Sequence, residues 1–191
     1  MALLEGKQAV VYGAGAAGRV VAWSFACEGA TVHLASRSAP RLRAAAAEIR
    51  ADGGKVRTTV LDVLDPDAAG AHADAVVARE GRLDVSCNLT SVRATRSTAT
   101  AASRHMVRRR SGVILLVAGH RAPVAFESLG AELASGLEPH GVRVVTLRFG
   151  GVRGGAGLLD DLGDVAVYAA SDWGRTLSDA TIDVVSGTLV A

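Results

Sequence analysis

Residues 8–18 read Gln-Ala-Val-Val-Tyr-Gly-Ala-Gly-Ala-Ala-Gly, a short apolar run that ends on glycines at positions 13, 15 and 18. Ala9-Val10-Val11 reads as a strand, and the residues from Gly18 to Glu28 have helical spacing. A GxGxxG pattern that follows a strand directly and opens a helix has a defined physical use. Gly13 permits the tight turn, Gly15 lets the backbone approach a pyrophosphate, and Gly18, next to Ala17, lets the helix pack close to the strand. The phosphates then meet the positive end of the helix. This predicts dinucleotide contacts at Gly13, Gly15, Ala17 and Gly18; the alternative reading is a tight turn with no ligand.

Outward from this loop, apolar runs recur at Thr31 to Ala35, Val56 to Leu61, Leu83 to Asn88, Val113 to Ala118, Val142 to Phe149 and Thr181 to Val185. Val113-Ile-Leu-Leu-Val117 is continuously apolar, as in a parallel strand covered by helices on both faces. Helical segments lie between: about Pro40 to Arg50, capped by Ser38, and one that begins at Asp65-Pro66, where the carboxylate caps free N–H groups and proline fits the first turn. Others run from about Thr95 to Arg110, Val124 to Glu138 and Asp160 to Ser171, with Asp160-Asp161 read as a helix start. The alternation predicts an α/β fold, a single-domain Rossmann fold over residues 1–191 with a doubly wound parallel sheet of about seven strands. Gly150 to Gly157 reads as a flexible loop over the carboxyl edge of the sheet.

The 191 residues are 49% hydrophobic and 21% charged, yet charged or glycine residues interrupt every apolar run before the roughly 18 residues of a membrane helix. The opening Met1-Ala-Leu-Leu-Glu-Gly-Lys has no basic-then-apolar leader, so the expected location is cytoplasmic. Cys27 and Cys87 have no metal-ligand spacing and read as small buried hydrophobes; no metal site is expected. A net charge of +2 with 4% aromatic residues argues against a nucleic-acid partner. The basic run Arg108-Arg109-Arg110 reads as a solvated helix end.

About twenty residues beyond the glycine loop, an NAD-preferring fold would carry Asp or Glu for the adenosine ribose. Here the stretch is Ala35-Ser36-Arg37-Ser38, with Arg41 near. With no carboxylate to repel a 2′-phosphate and a guanidinium able to grip it, Ser36 and Arg37 favour NADP(H) over NAD(H). The alternative is that Arg37 solvates a turn.

Lys7-Gln-Ala-Val-Val-Tyr-Gly-Ala-Gly, Phe25-Ala-Cys-Glu-Gly-Ala30, Leu61-Asp62-Val63, Gly81-Arg-Leu-Asp84-Val, Asn88, Gly112-Val-Ile, Pro139-His-Gly-Val-Arg-Val144 and Ala169-Ala-Ser-Asp172 occur in this order. Together they resemble the short-chain dehydrogenase/reductase family from end to end. The resemblance implies that Asp62 hydrogen-bonds the adenine with Val63 beside it, and that Asn88 steadies the sheet edge next to the cofactor. Asp62 is also explicable as a strand-end cap.

The chain departs from that family in several places. Its glycine loop is one residue shorter, with Tyr12 in place of threonine, and the family's Asn-Asn-Ala-Gly reads Asn88-Leu-Thr-Ser91. The family reduces carbonyls with a Ser, a Tyr and a Lys. Here Gly119 stands where the serine is expected, no Tyr-x-x-x-Lys occurs, and the tyrosines are Tyr12 and Tyr168, the lysines Lys7 and Lys55. The serine-to-tyrosine segment and part of the interface helix between Ser91 and Gly112 read as deleted. Weak catalytic candidates are His120, which follows the fifth strand and has a suitable pKa range, and Ser91; Thr90 and Ser91 also read as turn residues and Tyr168 as a packing residue.

Two functions follow. One is an oxidoreductase that uses NADP(H) for hydride transfer to or from a carbonyl, alcohol or enoyl small-molecule substrate. The other is a catalytically inactive dinucleotide-binding scaffold or sensor with the same fold. The resemblance implies a homodimer or homotetramer, for which Phe126, Leu129, Leu133 and Leu137 offer an apolar stripe that serves equally as a core face.

Overall fold

The computed structural model describes residues 2–119, 123–150 and 157–184. Strands and helices alternate as β1 (Gln8–Tyr12), α1 (Ala16–Cys27), β2 (Thr31–Ser36), α2 (Ala39–Ala51), β3 (Lys55–Val60), α3 (Pro66–Glu80), β4 (Val85–Asn88), α4 (Val92–Arg109), β5 (Gly112–Gly119), α5 (Pro123–Leu137), β6 (Val142–Phe149), α6 (Leu158–Ala170) and β7 (Ala180–Val184). All neighbouring strands run parallel, in the order β3-β2-β1-β4-β5-β6-β7. The order reverses between β1 and β4, so a crevice opens at their carboxyl ends.

Local chemistry sets the helix ends. Asp65 Oδ1 accepts from Asp67 N at 2.9 Å and Ala68 N at 3.3 Å, and Ser38 caps α2. Ser91 Oγ accepts from Ala94 N at 3.4 Å, so α4 starts at Val92, ahead of Thr95. At the other end of α4, Arg110 turns left-handed at φ 53° and stops the helix, while Arg109 donates to Asp84 at 3.2 Å. The basic run is therefore a helix end.

Successive strand residues point to opposite faces. Val11, Leu115 and Leu147 pack with Phe25, Leu42 and Leu162 under α1, α2 and α6. Val10, Ile114 and Leu116 pack with Val76, Met106 and Leu129 under α3, α4 and α5. Phe126 and Leu129 are buried in this second layer and Leu133 and Leu137 pack against it, so the stripe of α5 is its sheet-facing side. Two expectations fail. Cys87 is buried, but Cys27, the last residue of α1, faces solvent. Tyr168 lies on the outer side of α6 and is 44% exposed, because the helix packs through Ala166, Val167 and Ala169 instead.

Tyr12, at the end of β1, is fully buried and meets His72 of α3, Oη to Nδ1 at 3.3 Å. Burial and the neighbouring His33 push the His72 pKa down to about 4; burial also lowers that of His33. Both imidazoles are neutral in the fold, while in the unfolded chain they gain a proton near pH 6.5. Stability is therefore fully present above that pH and is lost as pH falls from about 6.5 towards 4, with a slope of at most about 1.4 kcal/mol per unit for each histidine. Urea unfolding across this range tests it. His72→Phe, which removes one of the two groups, flattens the slope; an unchanged slope would show that His72 titrates normally.

Candidate functional site

The glycine loop occupies the crevice between β1 and β4. Gly13 has φ +120°, donates its N–H to Ala35 O at 2.9 Å, and a Cβ on it would stand 2.7 Å from Leu89 O. A Cβ on Gly18 would overlap the Gly13 carbonyl oxygen. Gly15 differs: it is the N-cap of α1, makes no side-chain cap, and a Cβ on it would meet nothing within 4 Å. The loop thus turns tightly on Gly13 and Gly18, with Gly15 beside open space at the end of α1, whose N–H groups are suited to an anion.

That space is a cleft of about 470 Å³ lined by Gly13, Gly15, Ser36, Arg37, Asp62 and Val63, with Arg41, Leu89, Thr90 and Ser91 also on its wall. Asp62 Oδ1 accepts from Leu64 N at 3.0 Å, fixing the turn after β3. Ser36 Oγ accepts from Ser38 N at 3.2 Å. Arg37 is exposed, and among the described residues neither it nor Arg41 forms an ion pair. Both guanidinium groups are available to an anion.

A second hollow of about 400 Å³ adjoins the first through Gly15, Leu89 and Thr90. Ala17 and Gly18 line this half, opposite Val117 and Gly119 of β5, Phe126, Phe149 and Leu159. Asn88 lines neither half. Fully buried, it donates from Nδ2 to Leu115 O at 3.0 Å and Ser86 O at 3.1 Å, and its Oδ1 accepts from Thr98 Oγ at 2.6 Å. It holds β4, β5 and α4 together beneath Leu89 and Thr90.

The model for short chain dehydrogenase matches residues 7–98, and solved structures share the whole fold. Over residues 7–98 the chain is similar to the short-chain dehydrogenase/reductase family. A short chain dehydrogenase of Pseudocercospora fijiensis is 37% identical over 90 residues, which cover 47% of this chain and 29% of that protein. The chain spans about a third of the length of the curated relatives it matches. A putative short-chain dehydrogenase/reductase from Burkholderia xenovorans is 23% identical with a TM-score of 0.87, covering 98% of each chain. A metagenomic short-chain oxidoreductase, solved in complex with NADP, is 25% identical with a TM-score of 0.84, covering 95% of this chain and 99% of that one.

Against the family pattern, β5 ends at Gly119 and α5 begins at Pro123, so residues 120–122 are all that join them. His120 falls outside the described residues. Ser91 lies on the wall of the first half, its hydroxyl engaged as the cap of α4. Tyr12 is buried beneath α3, Tyr168 lies on the outside of α6, and Lys7 pairs with Asp172 at 2.6 Å. The family's tyrosine and lysine have no counterpart among the described cleft residues. Sequence reasoning missed the apolar wall of the second half: Phe126 and Phe149 lie 23 residues apart in the chain and line one hollow only because α5 packs back against β5 and β6.

Proposed function

We propose that this chain is a short-chain dehydrogenase/reductase that binds NADP(H) across the cleft and serves hydride transfer between the nicotinamide and a small carbonyl, alcohol or enoyl compound. The carrying observation is the pair of guanidinium groups, Arg37 and Arg41, which form no ion pair among the described residues, on a cleft that starts at a glycine-cradled helix N-terminus. The open space beside Gly15 fits a pyrophosphate, and the NADP complex of the metagenomic neighbour supports the cofactor. When bound, the reduced nicotinamide would supply the hydride, which carries both electrons, so that only a proton is needed besides. The chain's residues do the rest: the α1 N-terminus takes the pyrophosphate, Arg37 and Arg41 with Ser36 take the 2′-phosphate, and Asp62 and Val63 face the adenine. Ala17, Gly18 and Leu89 wall the nicotinamide half. A charge-assisted hydrogen bond contributes about 1.5–3 kcal/mol, so Arg37→Ala should weaken NADPH binding by roughly tenfold or more while NADH binding stays unchanged; equal effects on both would refute the 2′-phosphate role. His120 is the candidate proton donor, and turnover unchanged in His120→Ala would remove it.

The placement of both tyrosines and of Lys7 away from the cleft supports a second reading, a dinucleotide-binding protein without turnover. NADPH that raises the melting temperature but is not consumed with a panel of ketones and enones would select it.

A further inference from the structure

β3 is the outer strand of the sheet, beside β2. A hollow of about 350 Å³ opens here, lined from β2, β3, α3 and the end of α2, and it shares no lining residue with the cleft. Arginines reach it from three elements: Arg50 of α2, Arg57 of β3 and Arg79 of α3. Arg57 is paired with Glu80 at 3.0 Å. Arg50 is held over the strand edge, where it donates to Val56 O at 3.2 Å. Among the described residues neither Arg50 nor Arg79 forms an ion pair, so the hollow gathers more positive charge than Glu80 answers.

His33 of β2 and His72 of α3 line the same hollow, and both are buried. His33 stands opposite Arg57 in the β2–β3 register, so the two side chains share a face of the sheet, with Thr59 two residues further on. Each ring uses one nitrogen: His33 Nε2 meets Gln8 Oε1 at 3.2 Å and His72 Nδ1 meets Tyr12 Oη at 3.3 Å. The other nitrogen of each has no hydrogen-bond partner among the described residues, and neither is sealed from solvent without one, so both open onto the hollow. Whichever tautomer the neutral ring adopts, a protonated ring donates from both nitrogens. It keeps its present bond and offers the second to an anion. Burial holds both rings uncharged near neutral pH. The charged and titratable groups about them are Arg50, Arg57, Arg79, Glu80 and Tyr12. Three of these are cations that oppose a further proton, and an anion among them reverses that balance.

We propose that this hollow is an anion site that takes a tetrahedral dianion, free phosphate or the head of a small phosphate monoester, and that a proton from solvent joins His33 or His72 as it binds. The site is independent of the dinucleotide reading above. A tetrahedral group has oxygens for donors that arrive from α2, β3, α3 and the imidazole floor at once, whereas a carboxylate has two in one plane. The volume leaves room for a short ester beside Val56 and Val76. Because binding brings a proton to these rings, the ligand offsets the loss of stability that they otherwise cause in acid.

The test titrates the full chain with sulfate by calorimetry at constant ionic strength. The double variant Arg37→Ala/Arg41→Ala serves as the background, so that sulfate held in the cleft is not counted. Arg50→Ala and Arg79→Ala, at exposed positions, should each weaken sulfate binding by about tenfold. Acetate should bind at least about tenfold more weakly than sulfate. Sulfate remains a dianion and the arginines remain charged between about pH 7.5 and about pH 6, so affinity that rises by about threefold or more over this range reports proton uptake. Binding heats in buffers of different ionisation enthalpy read that proton directly without a histidine variant, and His33→Gln/His72→Gln should abolish the rise. Inorganic phosphate and glycerol 3-phosphate then separate the two sources: tighter binding of the ester assigns the site to a monoester, and no gain assigns it to the free ion. Sulfate binding that is indifferent to both Arg50→Ala and Arg79→Ala, or matched by acetate, would overturn the site; binding at about pH 6 without proton uptake would overturn the role of the histidines.

Discussion

Gly18→Ala should leave a protein that is markedly less stable and binds NADPH poorly. The added methyl would overlap the carbonyl oxygen of Gly13, a backbone atom that no rotamer change can move aside. Overpacking in a rigid setting costs about 1–3 kcal/mol, and with backbone on both sides the upper end applies. For a chain of this length that corresponds to a melting temperature lower by roughly 6–9 °C. Any relaxation must shift Gly13, whose own position is fixed by its hydrogen bond to Ala35 O and by the proximity of Leu89 O. The loop geometry that places α1 against the cleft is then lost as well. Gly15→Ala supplies the contrast. Its Cβ would meet nothing in the fold, and its φ of −74° is open to alanine, so stability should change by less than about 1 kcal/mol. The same methyl would project where a pyrophosphate must approach, and NADPH affinity should fall by about tenfold or more, or 1.4 kcal/mol. Melting curves with and without NADPH separate the two: Gly18→Ala moves both curves, Gly15→Ala only the NADPH-induced shift. Full NADPH affinity in Gly15→Ala would exclude a pyrophosphate over this residue.

Why these glycines could be read from the sequence while other parts of the site could not is a matter of range. The turn at Gly13, Gly15 and Gly18 is built from consecutive residues, as are the caps at Ser38 and Asp65, and each predicts its own geometry. Parallel pairing follows from the alternation of elements and from right-handed crossovers, whereas the order β3-β2-β1-β4-β5-β6-β7 does not, since other doubly wound orders obey the same rules. Leu83 and Leu61, read as strand residues, fall just outside β4 and β3, since an apolar residue at a strand end looks the same whether or not its backbone is paired. The exposure of Cys27 and Tyr168 depends on which side of α1 and α6 meets its neighbour, and both helices are apolar over more than one face. Pairings such as Tyr12 with His72 and Asn88 with Thr98 carry no local signature at all. Asn88 was legible as a marker of the sheet edge, but its side chain points into the scaffold and not into the cleft.

That scaffold role predicts the second large effect. Asn88→Ala should destabilise the protein by about 1–3 kcal/mol, because Leu115 O and Ser86 O lose a donor in a fully buried setting, while the Thr98 hydroxyl, which loses its 2.6 Å acceptor, still reaches Ala94 O at 3.0 Å and Thr95 O at 3.1 Å. Asn88→Asp should be worse, although nearly isosteric: the carboxylate keeps the Thr98 bond but turns an acceptor towards the carbonyls of Ser86 and Leu115, and a buried unpaired charge costs about 3–5 kcal/mol. Urea midpoints for the two variants give the order directly, and a variant ranking of Asp above Ala at neutral pH would mean that the amide donors contribute little. The two variants also separate support from contact. Asn88 underlies Leu89 and Thr90, which wall both halves of the cleft, so loosening it weakens NADPH binding only as far as it unsettles those residues. Under conditions where Asn88→Ala remains folded, its loss of NADPH affinity should therefore be smaller than that of Arg37→Ala, even though its loss of stability is much larger.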